Sequence, residues 1–318
     1  MKPKIFITHK TFPEALQFLS KSVEYEANTL ERNLSKDEII GKVGDKEGLM
    51  TLLTDPVDKD VINAAPSLKV IANCAAGFNN IDISYAKQKG ILITNTPGIL
   101  TDPTADLTWA LILSVARRIP EADKFTREGH FKGWKLDLFL GKELSGKILG
   151  IVGMGRIGKA VAIRGKAFQM KIFYHDPYRL KSEEEHKLGA TYVPLDQLLE
   201  QSDIISLHTP LIPETYHLIS TEKIRLLKKD AILINAARGP VIDEEALVEA
   251  LEEGRIWGAG FDVYEHEPAI HKKLLSMDKV TLLPHIGSAT KETRQKMALI
   301  TAKNLVQALQ GEKPDNLI

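Results

Sequence analysis

The segment Gly153-Met154-Gly155-Arg156-Ile157-Gly158 is where residue type and spacing point most clearly to chemistry. An apolar run, Ile148 to Val152, leads into it, and a helix-forming stretch, Lys159 to Phe168, follows. Between a strand and a helix, G-x-G-x-x-G is a dinucleotide site. The first glycine allows the tight turn. The second lets backbone approach a pyrophosphate, and the third lets helix and strand pack closely. The helix N-terminus adds free N–H groups and a positive dipole end for the phosphates. The next apolar run, Lys171 to His175, ends at Asp176, 18 residues past Gly158. A carboxylate there accepts hydrogen bonds from the adenosine ribose and repels a 2′-phosphate, which favours NAD over NADP. Taken alone, Asp176-Pro177 also reads as a solvated turn.

Three further residues follow runs that read as buried strands: Arg238 in Asn235-Ala236-Ala237-Arg238-Gly239, Glu267 in Tyr264-Glu265-His266-Glu267-Pro268, and His285 in Leu283-Pro284-His285-Ile286. Ligands of doubly wound sheets bind outside the carboxyl ends of strands. Hydride transfer to a carbonyl needs a matching proton, which a histidine can supply near neutral pH. A carboxylate beside it would favour the imidazolium and orient it. An arginine can grip a substrate carboxylate with two parallel hydrogen bonds and polarise the adjacent carbonyl. Together the three suit reduction of a 2-oxo acid. Singly, each also reads as an ordinary loop residue.

Elements that could position these residues alternate along the whole chain. Strand-like runs at 4–8, 48–53, 69–73 and 91–95 precede a long apolar helix from Pro103 through Arg118. Thr101 and Asp102 stand before that helix as capping candidates, and it should stop before Pro120. Six further strands are expected at 148–152, 171–175, 204–208, 231–235, 258–262 and 280–283. Such alternation predicts parallel sheets covered on both faces, the second large enough for a complete doubly wound domain. A last helix, Lys291 to Gln310, carries alternating charges and reads as a packed surface helix.

Composition narrows the classes. The chain has 318 residues, 43% hydrophobic and 26% charged, with 42 basic and 42 acidic side chains. A formal charge of +0 gives no electrostatic support for a nucleic acid or anionic membrane partner. With Cys74 the lone cysteine, an intrachain disulfide and a cysteine zinc cluster are excluded, and no metal site is expected. A reducing, cytoplasmic setting fits. The N-terminal apolar run is too short for a signal peptide, and no stretch approaches the roughly 20 apolar residues of a membrane span.

Several segments together resemble the D-isomer-specific 2-hydroxyacid dehydrogenase family: Ala76 to Asp82, Thr104-Ala105-Asp106, Gly150 to Gly158, His208-Thr209-Pro210, Asn235 to Gly239, Phe261-Asp262-Val263 and Pro284 to Ser288. The resemblance implies that Arg238 anchors the substrate, His285 is the acid/base, and Glu267, directly before Pro268, pairs with His285. Glu265 does not match that slot. It also implies backbone N–H groups of Ala76 and Gly77 against the substrate carboxylate, and Leu53 on a loop covering the substrate. Asn79 stands where the family usually has Asp. Arg156 and Ile157 should meet the pyrophosphate. Thr104, Thr209, Ala237, Asp262 and Ser288 match cofactor positions, with Asp262 near the nicotinamide amide; a strand-end structural acid is the alternative for Asp262. The implied layout is a Rossmann cofactor domain, residues 100–288, inserted into a flavodoxin-like substrate domain, residues 1–99 plus 289–318.

Within the family, Gly133-Trp134 and Leu140-Gly141-Lys142-Glu143-Leu144 resemble the glyoxylate/hydroxypyruvate reductase branch. There the segment around Trp134 crosses to the partner subunit of a homodimer and walls its active site; Trp134 as an interface anchor alone is the simpler reading. Many such reductases have a basic or small polar residue in place of Asp176 and use NADPH. The expected activity is NADH-dependent reduction of a small 2-oxo acid, glyoxylate or hydroxypyruvate. Formate dehydrogenases carry Gln in place of Glu267, which argues against that branch. A D-3-phosphoglycerate dehydrogenase without a regulatory domain, and a non-enzymatic NAD-binding corepressor scaffold, are the alternatives.

Overall fold

The computed structural model describes residues 1–318, which form two compact units: Met1–Leu100 with Ser288–Ile318, and Thr101–Gly287. The first unit runs β1 (Lys4–Ile7), α1 (Pro13–Leu19), β2 (Glu24–Ala27), α2 (Lys36–Val43), β3 (Gly48–Thr51), α3 (Lys59–Asn63), β4 (Val70–Asn73), α4 (Ile83–Gln88) and β5 (Leu92–Thr94). Its strands form one parallel sheet in the order β2-β1-β3-β4-β5, the flavodoxin-like order.

Burial on both faces explains why the central strands read as unbroken apolar runs. Phe6, Leu49 and Ile71 pack with Ile39 and Val61 on one face. Ile5, Ile7, Met50 and Val70 pack on the other against Ala298, Ala302 and Leu305 of the C-terminal helix, Lys291–Leu309. That helix packs along one face while Lys291, Glu292, Arg294, Lys296 and Lys303 stay exposed on the other, as a packed surface helix does. Local signals start the helices. Ser35 and Glu38 form a capping box on α2, and the Asp58 side chain accepts from the amides of Asp60 and Val61 on α3.

The second unit runs α5 (Thr101–Arg117), α6 (Ile119–Arg127), β6 (Ile148–Val152), α7 (Arg156–Ala167), β7 (Lys171–His175), α8 (Ser182–Leu188), β8 (Ala190–Tyr192), α9 (Leu195–Gln201), β9 (Ile204–Leu207), α10 (Thr221–Ile224), β10 (Ile232–Asn235), α11 (Glu244–Glu252), β11 (Gly258–Phe261) and β12 (Val280–Leu282). All seven strands are parallel, in the order β12-β11-β10-β9-β6-β7-β8. The fold is that of two doubly wound parallel-sheet α/β units. Thr101 and Asp102 lie inside α5 rather than capping it. Beyond α5, Arg118 takes a left-handed φ of 54° and the chain enters α6, with Pro120 in its first turn. Proline thus opens a second helix here, because a first-turn residue needs no intrahelical N–H donor. No helix is long and apolar enough to cross a membrane.

Candidate active site

In the second unit the chain winds outward from β6 to β7 and β8, then returns to lay β9 on the other side of β6. The crevice between the carboxyl ends of β6 and β9 is thus the topological switch point, where such sheets bind ligands. The glycine turn lies there. Gly153 has φ +95°, and a Cβ on it would sit 2.7 Å from the His208 carbonyl carbon and 2.9 Å from the Thr209 nitrogen. A Cβ on Gly158 would strike the Gly153 carbonyl oxygen, so α7 lies directly on the turn. A Cβ on Gly155 meets nothing within 4 Å, leaving open space before the α7 N-terminus, which no side chain caps. Arg156 is exposed and Ile157 half-buried on the first turn of α7.

Opposite this turn, Thr209 Oγ1 and His208 Nδ1 are buried without a protein partner. Burial pushes the His208 imidazole down to about 3, so it is neutral, with Nε2 2.8 Å from Ser206 Oγ. Uncapped helix amides, open space at the second glycine and an unpartnered hydroxyl suit a polar ligand with phosphates, as a nicotinamide dinucleotide is. Asp176, at the end of β7, binds the same turn: Oδ2 accepts from the Met154 amide at 2.7 Å and Oδ1 from the Tyr178 amide at 2.8 Å. Each oxygen keeps a second acceptor site for a ribose hydroxyl.

Arg238, Glu267 and His285 follow β10, β11 and β12, on the other side of the switch point. His285 Nδ1 lies 2.9 Å from Glu267 Oε2, and Glu267 Oε1 accepts from the Tyr264 amide at 3.1 Å. An ionised carboxylate only accepts, so His285 carries its hydrogen on Nδ1 towards Glu267, leaving Nε2 for a ligand. Burial pushes the Glu267 carboxyl up. The His285 hydrogen bond and charge, the Tyr264 amide and Arg238 outweigh it and hold the group below its ordinary range. Burial also lowers the Arg238 guanidinium, an effect that the Glu267 charge opposes.

The backbone that carries these groups is closely tied. Asn235 Oδ1 accepts from the Ala237 amide at 3.1 Å and its Nδ2 donates to the Arg238 carbonyl at 2.9 Å. A Cβ on Gly239 would overlap the Tyr264 carbonyl, so the Arg238 turn rests on the loop bearing Glu267. His285 has a left-handed φ of 55°, and the next two amides, Ile286 and Gly287, each donate to Asp262 at 2.7 Å. Asp262 is 1% exposed, and burial first of all raises its pKa. It thus anchors the His285 turn, as a strand-end structural acid would. Thr104 Oγ1 donates to the Gly287 carbonyl at 3.3 Å. Glu265 faces away from this cluster, pairing with His217 Nε2 at 2.7 Å and accepting from the Glu244 amide.

Leu53, Ala76, Gly77 and Ser288 belong to the first unit. Leu53 lies on the loop after β3 and Ala76-Gly77 on the loop after β4. Asn80 Nδ2 donates to the carbonyls of Leu52 and Asp55, both at 3.0 Å. Asn73 Nδ2 donates to the Gly77 carbonyl at 2.9 Å and to Asn80 Oδ1 at 3.2 Å. This amide pair joins the two loops, and reading by motif overlooked it, as it did Tyr264 and Gly239. The repeated Asn, Asn73 at the end of β4 and Asn79-Asn80 in the loop after it, where backbone needs partners, is the signal that was available. Trp134 is 81% exposed in the segment between α6 and β6, as are Leu136 and Leu140 at 80% and 62%.

Residues 109–287 match the family described as D-isomer specific 2-hydroxyacid dehydrogenase, NAD binding domain. The chain belongs to this family. As one of these dehydrogenases, it is 50% identical to the glyoxylate reductase of Thermococcus litoralis over 322 aligned positions, covering 100% of this chain and 97% of that one. A Thermus thermophilus protein of known structure superposes with a TM-score of 0.91 at 40% identity, covering 99% of both chains. The NADPH-dependent glyoxylate/hydroxypyruvate reductase of Sinorhizobium meliloti does so at 0.87 and 32%, covering 100% of this chain and 97% of that one. Membership shows an oxidoreductase with a nicotinamide cofactor domain in the second unit.

Proposed function

We propose that this chain reduces a small 2-oxo acid, glyoxylate in the first place and hydroxypyruvate with it, using NADH in preference to NADPH. The observation that carries the reading is the His285–Glu267 pair beside Arg238, at the carboxyl edge of a sheet whose switch point holds the glycine turn. The glyoxylate reductase relative supports the substrate, and Asp176 supports the choice of NADH although one NADPH-dependent relative shares the fold.

NADH, when bound, supplies the hydride that reduces the substrate carbonyl carbon. Arg238 holds the substrate carboxylate by its planar fork and polarises the neighbouring carbonyl. His285 gives the proton on Nε2 to the carbonyl oxygen as charge develops there, so one hydride and one proton convert C=O to CH–OH. Glu267 fixes the ring through Nδ1 and stabilises the imidazolium before transfer. Asp262 keeps the turn beneath the ring in place through Ile286 and Gly287. Gly153, Gly155, Gly158, Thr209 and Asp176 hold the dinucleotide, with Arg156, Ile157, Ala237, Thr104 and Ser288 beside it in this reading. The reverse reaction oxidises a D-2-hydroxy acid.

The roles of Leu53, Ala76, Gly77 and Trp134 at the substrate belong to the same proposal and rest on the family resemblance. We further propose a homodimer formed through the exposed apolar segment around Trp134, Leu136 and Leu140, since patches of this kind mark association sites. A single cysteine suits the cytoplasm as its location. The test is oxidation of NADH and of NADPH by the purified chain with glyoxylate, hydroxypyruvate and pyruvate. Turnover with glyoxylate and a higher kcat/KM for NADH are expected. Inactivity on all three acids overturns the proposal.

A further inference from the structure

Asp176 is not the only charged residue placed to influence the ribose end of the cofactor site. Three residues on stands Arg179, and in Rossmann folds an arginine in this neighbourhood receives the 2′-phosphate of NADP. The chain folds back at Asp176, whose Oδ1 accepts from the Tyr178 amide, so Arg179 begins the segment directly after the ribose-binding turn. Its guanidinium is directed elsewhere: Nε donates to Glu185 Oε1 at 2.9 Å and Nη2 to Glu185 Oε2 at 3.1 Å, with the Tyr192 ring 5.4 Å away.

The two partners are unequally held. The Glu185 side chain is 14% exposed and that of Arg179 63%. Glu185 also accepts from the hydroxyl of Tyr174 at 2.6 Å, and that hydroxyl accepts from the Leu180 amide at 3.0 Å. Tyr174 is fully buried in β7, the strand that ends at Asp176. The carboxylate is therefore the fixed anchor and the arginine the movable arm.

We propose that Glu185 is a second determinant of cofactor choice: by pairing with Arg179 it neutralises and turns aside a guanidinium that would otherwise receive a 2′-phosphate. Selectivity then has two parts. Asp176 repels the phosphate, and Glu185 withholds the cation that would attract it. A 2′-phosphate carries between one and two negative charges and matches the arginine fork, so the freed guanidinium has a strong alternative partner. The inference rests on the proposed ribose role of Asp176, and the test separates the two.

The measurement is the dissociation constant of NADPH and of NADH, by quenching of protein fluorescence, for the full chain and its variants. Asp176→Asn removes the charge and keeps the shape. It should improve the ratio of NADPH to NADH affinity on the order of tenfold. Adding Glu185→Gln, which retains the hydrogen bond to Tyr174, should improve it again by about three- to tenfold. Adding Arg179→Ala to that double variant should abolish the second gain. High salt should shrink it, because the arginine is exposed.

A second gain that is absent, or that survives Arg179→Ala, overturns the inference while the ribose reading stands. An Asp176→Asn variant with an unchanged ratio overturns the ribose reading, and the inference then holds only if Glu185→Gln still gives an Arg179-dependent gain. Should Glu185→Gln fail to fold, Glu185→Asp in the Asp176→Asn background, whose shorter carboxylate cannot hold both Arg179 nitrogens, takes its place. It should give an NADPH gain that Arg179→Ala abolishes, and no gain, or one that survives Arg179→Ala, refutes the proposal.

Discussion

Gly239→Ala is the smallest change that should separate the residues assigned to the substrate. The added methyl falls on the Tyr264 carbonyl and the Glu265 nitrogen, far inside the 3.0 Å below which real Cβ atoms essentially never approach. Neither side yields cheaply. The Arg238 turn is held by both polar atoms of Asn235, and the opposing loop by the Tyr264 hydroxyl on the Leu283 carbonyl and by Glu265 on the Glu244 amide. The backbones must part by roughly 1 Å, and misplacement of that size costs about 100-fold in rate. Overpacking costs about 1–3 kcal/mol, or roughly 3–10 °C in Tm for a unit of this size. The assay is steady-state NADH oxidation with glyoxylate, alongside thermal unfolding and the NADH dissociation constant. The dissociation constant should move only a few-fold, because the glycine turn follows β6 while Gly239 follows β10. A Gly239→Ala enzyme with unchanged kcat/KM and Tm would refute the claim that this contact sets the spacing of Arg238 and Glu267.

Two further substitutions test separate parts of the site. Glu267 is held below its ordinary value of 4.5, so it stabilises the fold above that value and loses the effect as pH falls through its lower folded value. Glu267→Gln should therefore be less stable than the parent to urea at neutral pH, with the difference shrinking as pH falls through that lowered value, and should lower kcat at least tenfold. Gly158→Ala places a methyl against the Gly153 carbonyl and lifts α7 from the turn. It should weaken NADH binding by about tenfold or more in a fluorescence titration, because the phosphates lose aligned amides.

The strands that carry the site were legible because they are buried on both faces: β6, β9, β10 and β11 are continuous apolar or small-residue runs. Edge strands lack that signal. β2 is Glu-Tyr-Glu-Ala with no residue fully buried, and β8 is Ala-Thr-Tyr with only Ala190 buried, so neither reads as an apolar run. Alternating charges marked the C-terminal helix as a packed surface helix, and its face of small residues, Ala298 and Ala302, lies on the first sheet. Among site residues, the glycine turn, Asp176 and the loop residues after β10, β11 and β12 stood out because their types are costly without a purpose. What motif and spacing did not reveal were contacts between segments distant in sequence. The Gly239–Tyr264 approach, the Asn73–Asn80 amide pair and the two amides on Asp262 depend on how loops from neighbouring strands meet.

Everything proposed for catalysis turns on His285, oriented by Glu267, giving the proton that accompanies hydride transfer to a 2-oxo acid. The decisive quantity is kcat for glyoxylate at saturating NADH, in the parent chain and in His285→Gln, with NADH affinity measured on both. A loss of roughly 100- to 10,000-fold in kcat is expected, with the NADH dissociation constant changed less than about threefold. Turnover by His285→Gln at the parent rate, with NADH still bound, would contradict the assignment.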